Sequence, residues 1–386
     1  MVRLVLVVLL AVLMTWWSIE TATAAQRYVI ELDASVDAGE QRGAIEQEVE
    51  AAGGRVVQVL ERAINGAIVE LPGPRRLSLP GLRSLRPDTV VSTLGIQTDA
   101  PWNLDRLDQA ALPLDGVYSH PDEATGAGVT AYVIDTGIRE THVEFGGRAR
   151  RGFDALGGRG RDCNGHGTHV AATIAGATTG VAKQAEPVGV RVIDCNGYTL
   201  ATALLAGIEW VIADHHTGEP AVANLSLGGI ANGFLDRAVR NLIADGVPTA
   251  VGAGNWSVDA CWISPARVGP ALTVAASDRD DRFARFSDHG RCVDIVAPGV
   301  DVVSADAASD TGLIAHSGTS MATPHVAGVA AQLLELSSDA TPDEIAAQLT
   351  SAGSPGVLTD VPRTCLWRCR LTTPNLLLQA RVLTLR

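Results

Sequence analysis

Short apolar runs alternate with turn residues along the chain, and the spacing of those runs divides it into two parts. In the first part, the sequence RYVIEL at Arg27–Leu32 predicts a strand. Between Ala44 and Ala52, Ile45 and Val49 stand four apart, a helical spacing, and Gly53-Gly54 can end that helix. Arg55–Leu60 and Gly66–Leu71 return as strands, and the stretch from Pro72 to Pro87 loosens the pattern. Residues 26–94 are therefore expected to form a small α+β unit. From about Val129 the pattern changes. Val129–Ile134, Ala221–Leu225, Val247–Val251, Ala271–Ala275 and Val293–Val296 predict buried strands, while Ala201–His215 and Gly233–Asp245 predict amphipathic helices. Repeated βα units predict an α/β fold with a mostly parallel, doubly wound sheet. In such sheets the functional groups gather beyond the carboxyl ends of the strands. There is no internal repeat and no low-complexity tract.

Ahead of both parts, Arg3 precedes an apolar run from Leu4 to Trp17, and Ala22-Thr23-Ala24-Ala25 supplies small residues. That is the layout of a secretory signal peptide over residues 1–25. A membrane anchor would need ~20 apolar residues, more than this run has. Apolar residues make up 46% of the chain, so a sizeable core can be buried. The net charge of -13 and the lack of basic patches argue against a nucleic-acid partner. The six cysteines are Cys163, Cys195, Cys261, Cys292, Cys365 and Cys369. An even number behind a signal peptide implies disulfides in an oxidising compartment. Zinc is disfavoured, because there is no CxxC pair and no histidine cluster to complete one.

Three stretches carry candidate chemistry. In Ala131-Tyr132-Val133-Ile134-Asp135-Thr136-Gly137 an acid ends an apolar strand, which is also what a simple turn or cap would look like. In Asn164-Gly165-His166-Gly167-Thr168-His169 a histidine opens a helix between two glycines that allow close approach. His166 and His169 could be metal ligands, but no Glu follows His166 as the HExxH pattern requires. In His316-Ser317-Gly318-Thr319-Ser320-Met321-Ala322 a serine opens a further helix, where it could act only as a cap. A serine hydroxyl needs a base to become a good nucleophile, and the base needs an acid to fix its tautomer. The chain supplies these in the order Asp, His, Ser. An esterase elbow GxSxG belongs to the order Ser, acid, His, so an esterase or lipase is disfavoured. His325, five residues beyond Ser320 on the same helix, is expected to be structural.

These stretches resemble the subtilisin-like serine proteases, most of all their secreted proteinase K and aqualysin branch. VIDTGI at 133–138, NGHGTHVA at 164–171, NLSLGG at 224–229, GAGN at 252–255 and HSGTSMATPHVAG at 316–328 carry the resemblance. It implies a secreted endopeptidase with Asp135 as acid, His166 as general base and Ser320 as nucleophile. Asn255 and the backbone N–H of Ser320 would bind the oxyanion. Ser226, Leu227 and Gly228 would form one wall of the primary specificity pocket and Gly252, Ala253 and Gly254 the other. Neither wall is charged, which favours apolar or aromatic side chains at the cleaved bond. An edge segment at Asn196-Gly197-Tyr198-Thr199-Leu200 would pair with the substrate, although relatives commonly have SGS where this chain has Tyr198-Thr199-Leu200. An inactive binding protein built on the same fold would be expected to lack part of the triad or the oxyanion donor, and all four residues are present.

The resemblance further implies structural Ca²⁺ and no organic cofactor. Asp294, with backbone oxygens of Gly269 and Ala271, matches one calcium site. Asp105, Asp108, Gln109 and Asp115 match a second, in which Val117 stands where relatives have Asn. Family spacing implies Cys163–Cys195 and Cys261–Cys292 pairs, with Cys365–Cys369 a local third. Residues 26–94 occupy the position of an inhibitor-like propeptide, removed by self-cleavage near Leu94-Gly95 to leave a catalytic domain over 95–386. The expected partners are polypeptide substrates and the chain's own propeptide, with the mature protein a monomer free of the membrane.

Overall fold

Alternation along Thr130–Asp135 decides how the large domain is layered. Ala131 and Val133 point into one apolar cluster, and Tyr132 and Ile134 point into another on the opposite face. A strand buried on both faces needs helices on both faces, which is the arrangement of a parallel sheet built from βα units. The structure, a computed structural model of the chain, describes residues 26–73, 75–88, 94–362 and 372–380. They fall into two compact units divided between residues 91 and 92. The expected signal peptide lies outside the described residues.

The first unit contains β1 (Gln26–Leu32), α1 (Arg42–Ala51), β2 (Arg55–Leu60), β3 (Gly66–Leu71) and β4 (Leu82–Pro87). Its sheet has the order β2-β3-β1-β4, and all its pairings are antiparallel. Ile45 and Val49 of α1, the two residues at helical spacing, are buried in a core with Tyr28, Ile30, Val69 and Leu71.

The second unit follows as β5 (Leu94–Thr98), α2 (Trp102–Asp105), β6 (Val117–Pro121), β7 (Thr130–Asp135), β8 (Arg150–Asp154), α3 (His166–Ala175), β9 (Glu186–Arg191), α4 (Ala201–Asp214), β10 (Ala221–Leu225) and β11 (Gly229–Ile230). It continues with α5 (Gly233–Ala244), β12 (Thr249–Gly252), β13 (Ile263–Ser264), β14 (Leu272–Ser277), β15 (Ile295–Pro298), β16 (Val302–Ala305), β17 (Leu313–His316), α6 (Thr319–Leu336), α7 (Pro342–Ala352), β18 (Ser354–Pro355) and β19 (Leu376–Leu377). Among the described residues the main sheet has nine strands in the order β18-β19-β15-β14-β12-β10-β7-β9-β8. Its pairs are parallel except β18 with β19.

Helices α3, α6 and α7 bury Val170, Ile174, Val326, Leu333 and Ile345 against one face of this sheet. Helices α4 and α5 bury Leu204, Ile208, Val239 and Leu242 against the other. Each such side chain contributes about 1.5–3 kcal/mol of burial. The chain leaves β7 toward β9 on one side and later adds β10 on the other. The carboxyl end of β7 is therefore a topological switch point, where open α/β sheets place their ligands. Helix α6 is buried on nearly every face, so the core fixes where its first turn sits.

Candidate active site

Asp135 is the last residue of β7 and is fully buried. Both of its oxygens face His166 Nδ1, at 2.8 and 2.9 Å. Oδ1 also accepts from Thr136 N at 2.7 Å. His166 opens α3, and its side chain is 28% exposed. A carboxylate accepts only, so Nδ1 carries the proton and Nε2 is left as the basic nitrogen. Burial lowers the His166 pKa, but the charge of Asp135 and its hydrogen bond outweigh that, so the net direction is upward. Gly167 lets the pair form: a Cβ there would lie 2.2 Å from the carbonyl oxygen of Gly137. Its glycine serves the approach of the Asp135 loop to α3, where the sequence suggested the approach of a partner to the imidazole.

Asp162 ties the same two segments and was not legible as a functional residue. Its Oδ2 accepts from Thr168 N at 2.9 Å and Thr168 Oγ1 at 2.6 Å, capping α3. Its Oδ1 accepts from Thr136 Oγ1 at 2.9 Å and from Gly165 N at 2.8 Å. Only the fold brings Thr136 beside it.

Ser320 is the second residue of α6, whose N-cap is Gly318. Its Oγ donates to the carbonyl of Ser226 at 3.1 Å and makes no hydrogen bond to His166. The carbonyl of Ser320 is also held. Pro324, four residues on, has no N–H to give it, and Ser226 Oγ donates to it at 2.9 Å. Ser226 follows β10, and Asn255 follows the neighbouring strand β12, so the sheet brings both to the start of α6. Asn255 Oδ1 accepts from Thr319 N at 2.8 Å and Thr319 Oγ1 at 3.0 Å. A backbone N–H can only donate, so this contact fixes the amide with Nδ2 free to donate outward. A Cβ built on Gly318 would lie 3.5 Å from Asn255 Nδ2 and 3.6 Å from Ser320 N. The two donors therefore flank one small space, at a helix start where N–H groups lack helical partners and the dipole favours negative charge.

The remaining predicted residues are placed as follows. Ser226, Leu227 and Gly228 extend from β10, and Gly252, Ala253 and Gly254 run along the end of β12. Gly197 lies in a turn closed by Asp194, beside Tyr198 and Leu200, which are 76% and 74% exposed. His169 does not share a site with His166. It turns toward the carbonyls of Val302 and Ile314, and burial together with the neighbouring His316 lowers its pKa to about 3. His325 is fully buried, bonded to Met321 O and Asn103 Nδ2, and burial lowers its pKa to about 4.

Cys163 is bonded to Cys195 and Cys261 to Cys292, with Cα separations of 5.0 and 5.3 Å. Cys365 and Cys369 lie outside the described residues. Asp294 accepts from Thr273 N at 2.8 Å, and burial pushes its carboxyl up to about 6. Asp105 takes N–H donors from Gln109, Asp115 and Gly116. Ser119 N donates to Asp108 at 2.7 Å. Burial raises both carboxyls, and Asp115 raises them further. Among the described residues no three Asp, Glu, His or Cys side chains gather in a metal-binding group. No helix among them is long and apolar enough to cross a membrane.

The pattern of the subtilase family matches residues 126–363. The chain is 47% identical over 331 residues to an extracellular serine proteinase of Thermus sp. (strain Rt41A), spanning 84% of this chain and 78% of that protein. It is 44% identical over 317 residues to alkaline serine exoprotease A of Vibrio alginolyticus, spanning 79% of this chain and 58% of that protein. Among solved structures it is similar to a cold adapted subtilisin-like serine proteinase, with a TM-score of 0.68 and 44% identity. That alignment covers 73% of this chain and 99% of the other.

Proposed function

The chain belongs to the subtilase family of serine proteinases, and from that premise we propose that it is a secreted endopeptidase working through Asp135, His166 and Ser320. What supports this reading is a buried Asp135–His166 pair at the carboxyl end of β7 and, held to Ser226 just after the neighbouring strand β10, a Ser320 whose N–H shares one small space with Asn255 Nδ2.

In the first step Ser320 Oγ leaves the Ser226 carbonyl and gives its proton to His166 Nε2 as it attacks the peptide carbonyl carbon. The carbonyl π electrons move onto oxygen, which becomes an oxyanion between Asn255 Nδ2 and Ser320 N. Asp135 keeps the Nδ1 proton in place and stabilises the imidazolium without taking that proton. The C–N bond then breaks, and His166 returns the proton to the leaving amine. Water, deprotonated by the same His166, attacks the acyl-enzyme. The acid is released and the Ser320 hydroxyl restored.

Uncharged walls at Ser226–Gly228 and Gly252–Gly254 support a preference for apolar or aromatic side chains at the cleaved bond. Residues 26–94 act as a propeptide that the same site removes near Leu94-Gly95, at the first residues of β5. Asp294 fits a structural Ca²⁺, because a carboxylate pushed up by burial has no cationic side chain beside it and a hard cation would supply the missing charge. The backbone carbonyls of Gly269 and Ala271 would complete the donor set. The Asp105 cluster is a weaker fit, its carboxylate being already satisfied by N–H donors.

Ser320→Ala tests the central claim. Purified from a host without related proteases, it is expected to hydrolyse neither casein nor peptides and to remain uncut near Leu94. Normal maturation of that variant would exclude self-processing, and residual hydrolysis near the parent rate would exclude Ser320 as the nucleophile.

A further inference from the structure

Asn255 holds its side chain against Thr319, but its backbone must be placed from elsewhere. Asp288 sits behind that loop, fully buried. Its N–H donates to Gly254 O at 2.8 Å, on one side of Asn255. Its Oδ1 accepts from Trp256 N and Val258 N, each at 2.9 Å, on the other side. Oδ2 is buried without a hydrogen-bond partner. It lies against Gly254, where a Cβ would be only 2.1 Å away and where φ is +116°, so this position needs glycine for both space and conformation. Segment 285–289 reinforces the clamp. Ser257 N donates to Phe286 O at 3.0 Å and His289 N to Val258 O at 2.9 Å, and Ser257 is held at φ 57°.

A buried carboxylate with one unpaired oxygen is an expensive way to satisfy two backbone N–H groups. Burial raises the Asp288 pKa accordingly. What the arrangement provides is stiffness: one residue fixes the chain immediately before and immediately after the oxyanion donor. Donors that stabilise a transition state must be placed before charge develops, and looseness of even 1 Å in a supporting shell is costly.

We infer that Asp288 is a positioning residue for the reaction, which holds Asn255 Nδ2 in register with Ser320 N without touching substrate. The inference rests on the reading of Asn255 as oxyanion donor. A double-mutant cycle separates the two claims, using a peptide substrate for kcat and KM and a peptide boronic acid as a tetrahedral analogue. Asp288→Ala is expected to lower kcat about tenfold with KM nearly unchanged, and to weaken the boronate by a similar factor. In an Asn255→Leu background the same change is expected to lower kcat less than about twofold, because the donor it positions is gone. Asp288→Asn, which keeps an Oδ1 acceptor, should recover most of the loss.

An equal kcat loss in both backgrounds, or a loss confined to KM, would overturn the positioning role while leaving Asn255 as donor. An unchanged kcat in Asn255→Leu alone would remove the donor reading itself, and this inference with it. Should Asp288→Ala fail to fold, Asp288→Glu displaces the carboxylate by one methylene and takes its place in the cycle with the same expectations.

Discussion

Asn255 and Ser320 contribute one donor each to the space beside Gly318, so replacing the side-chain donor tests the electrostatic half of the site, although it also removes the Oδ1 that accepts from Thr319. Asn255→Leu is close in size and lacks the N–H. It is expected to lower kcat by about 10²–10³ with little change in KM, the size that subtilisin itself shows when that donor is removed. A change confined to KM would return Asn255 to a turn role. His166 tests the other half. Only its neutral form accepts a proton, and Asp135 raises its pKa above the usual 6.5. So kcat/KM should fall as pH drops through a value above 6.5. Asp135→Asn should cut the rate by about 10⁴ by leaving the wrong tautomer in place. It should also move the remaining acidic limb to lower pH, and a limb left where it was would argue against the coupling. Of the residues in this site, those in contiguous motifs were legible in the sequence. Asp162 and Asp288 were not, because the contacts that tie them to the site, the Thr136 hydroxyl on Asp162 and the Trp256 and Val258 N–H groups on Asp288, come from segments that only the fold brings near.

At the scale of elements, strands holding an apolar run were readable, including those that a charged residue opens or interrupts, and strands without such a run were not. The expected strands at Val129–Ile134, Ala221–Leu225, Val247–Val251, Ala271–Ala275 and Val293–Val296 overlap β7, β10, β12, β14 and β15, with shifts of up to two residues at most ends. β8 and β9 were missed. The sequence RRGFD of β8 begins with two charges at the sheet edge, and EPVGVR of β9 contains Pro187 and Gly189. Val188 and Val190 are nevertheless fully buried, and Pro187 lies ahead of the residues that pair with β8. Packing here overrides local propensity. The Cys163–Cys195 bond joins the turn before α3 to the segment before Gly197. Closing a loop with a sequence separation of 32 should stabilise the fold by about 3–4 kcal/mol. Replacing both cysteines by serine in a Ser320→Ala background should lower the denaturation midpoint accordingly. An unchanged midpoint would mean that the bond does not constrain the unfolded chain.

For the whole molecule, two buried histidines set how stability responds to acid. His169 and His325 have pKa values of about 3 and about 4 in the folded protein, each mainly through burial, against 6.5 when exposed. Between those values the unfolded chain binds more protons than the folded one, so stability rises with pH and is lost as pH falls below 6.5. His166 acts in the opposite sense. Its raised pKa favours the folded state below 6.5, and that contribution disappears as pH rises through its folded value. Glu144, lowered by bonds from Thr178 and Thr179 despite burial, gives stability that is lost only below 4.5. Between pH 6.5 and about 4.5 Glu144 does not yet titrate, but Asp294, pushed up to about 6 by burial, takes up a proton and favours the folded state, so the histidine contribution is read from the difference between parent and variant. In His325 the Nδ1 proton goes to Met321 O and Nε2 accepts from Asn103, so protonating Nε2 places a donor against a donor. His325→Gln removes the titration while keeping a polar side chain. Measured by denaturant unfolding in a Ser320→Ala background, the parent should lose about 2–4 kcal/mol more than this variant between pH 7 and pH 4. The variant starts from a lower stability at pH 7, so the quantity that decides is the slope. Parallel curves would show that His325 is not the group that couples folding to acid.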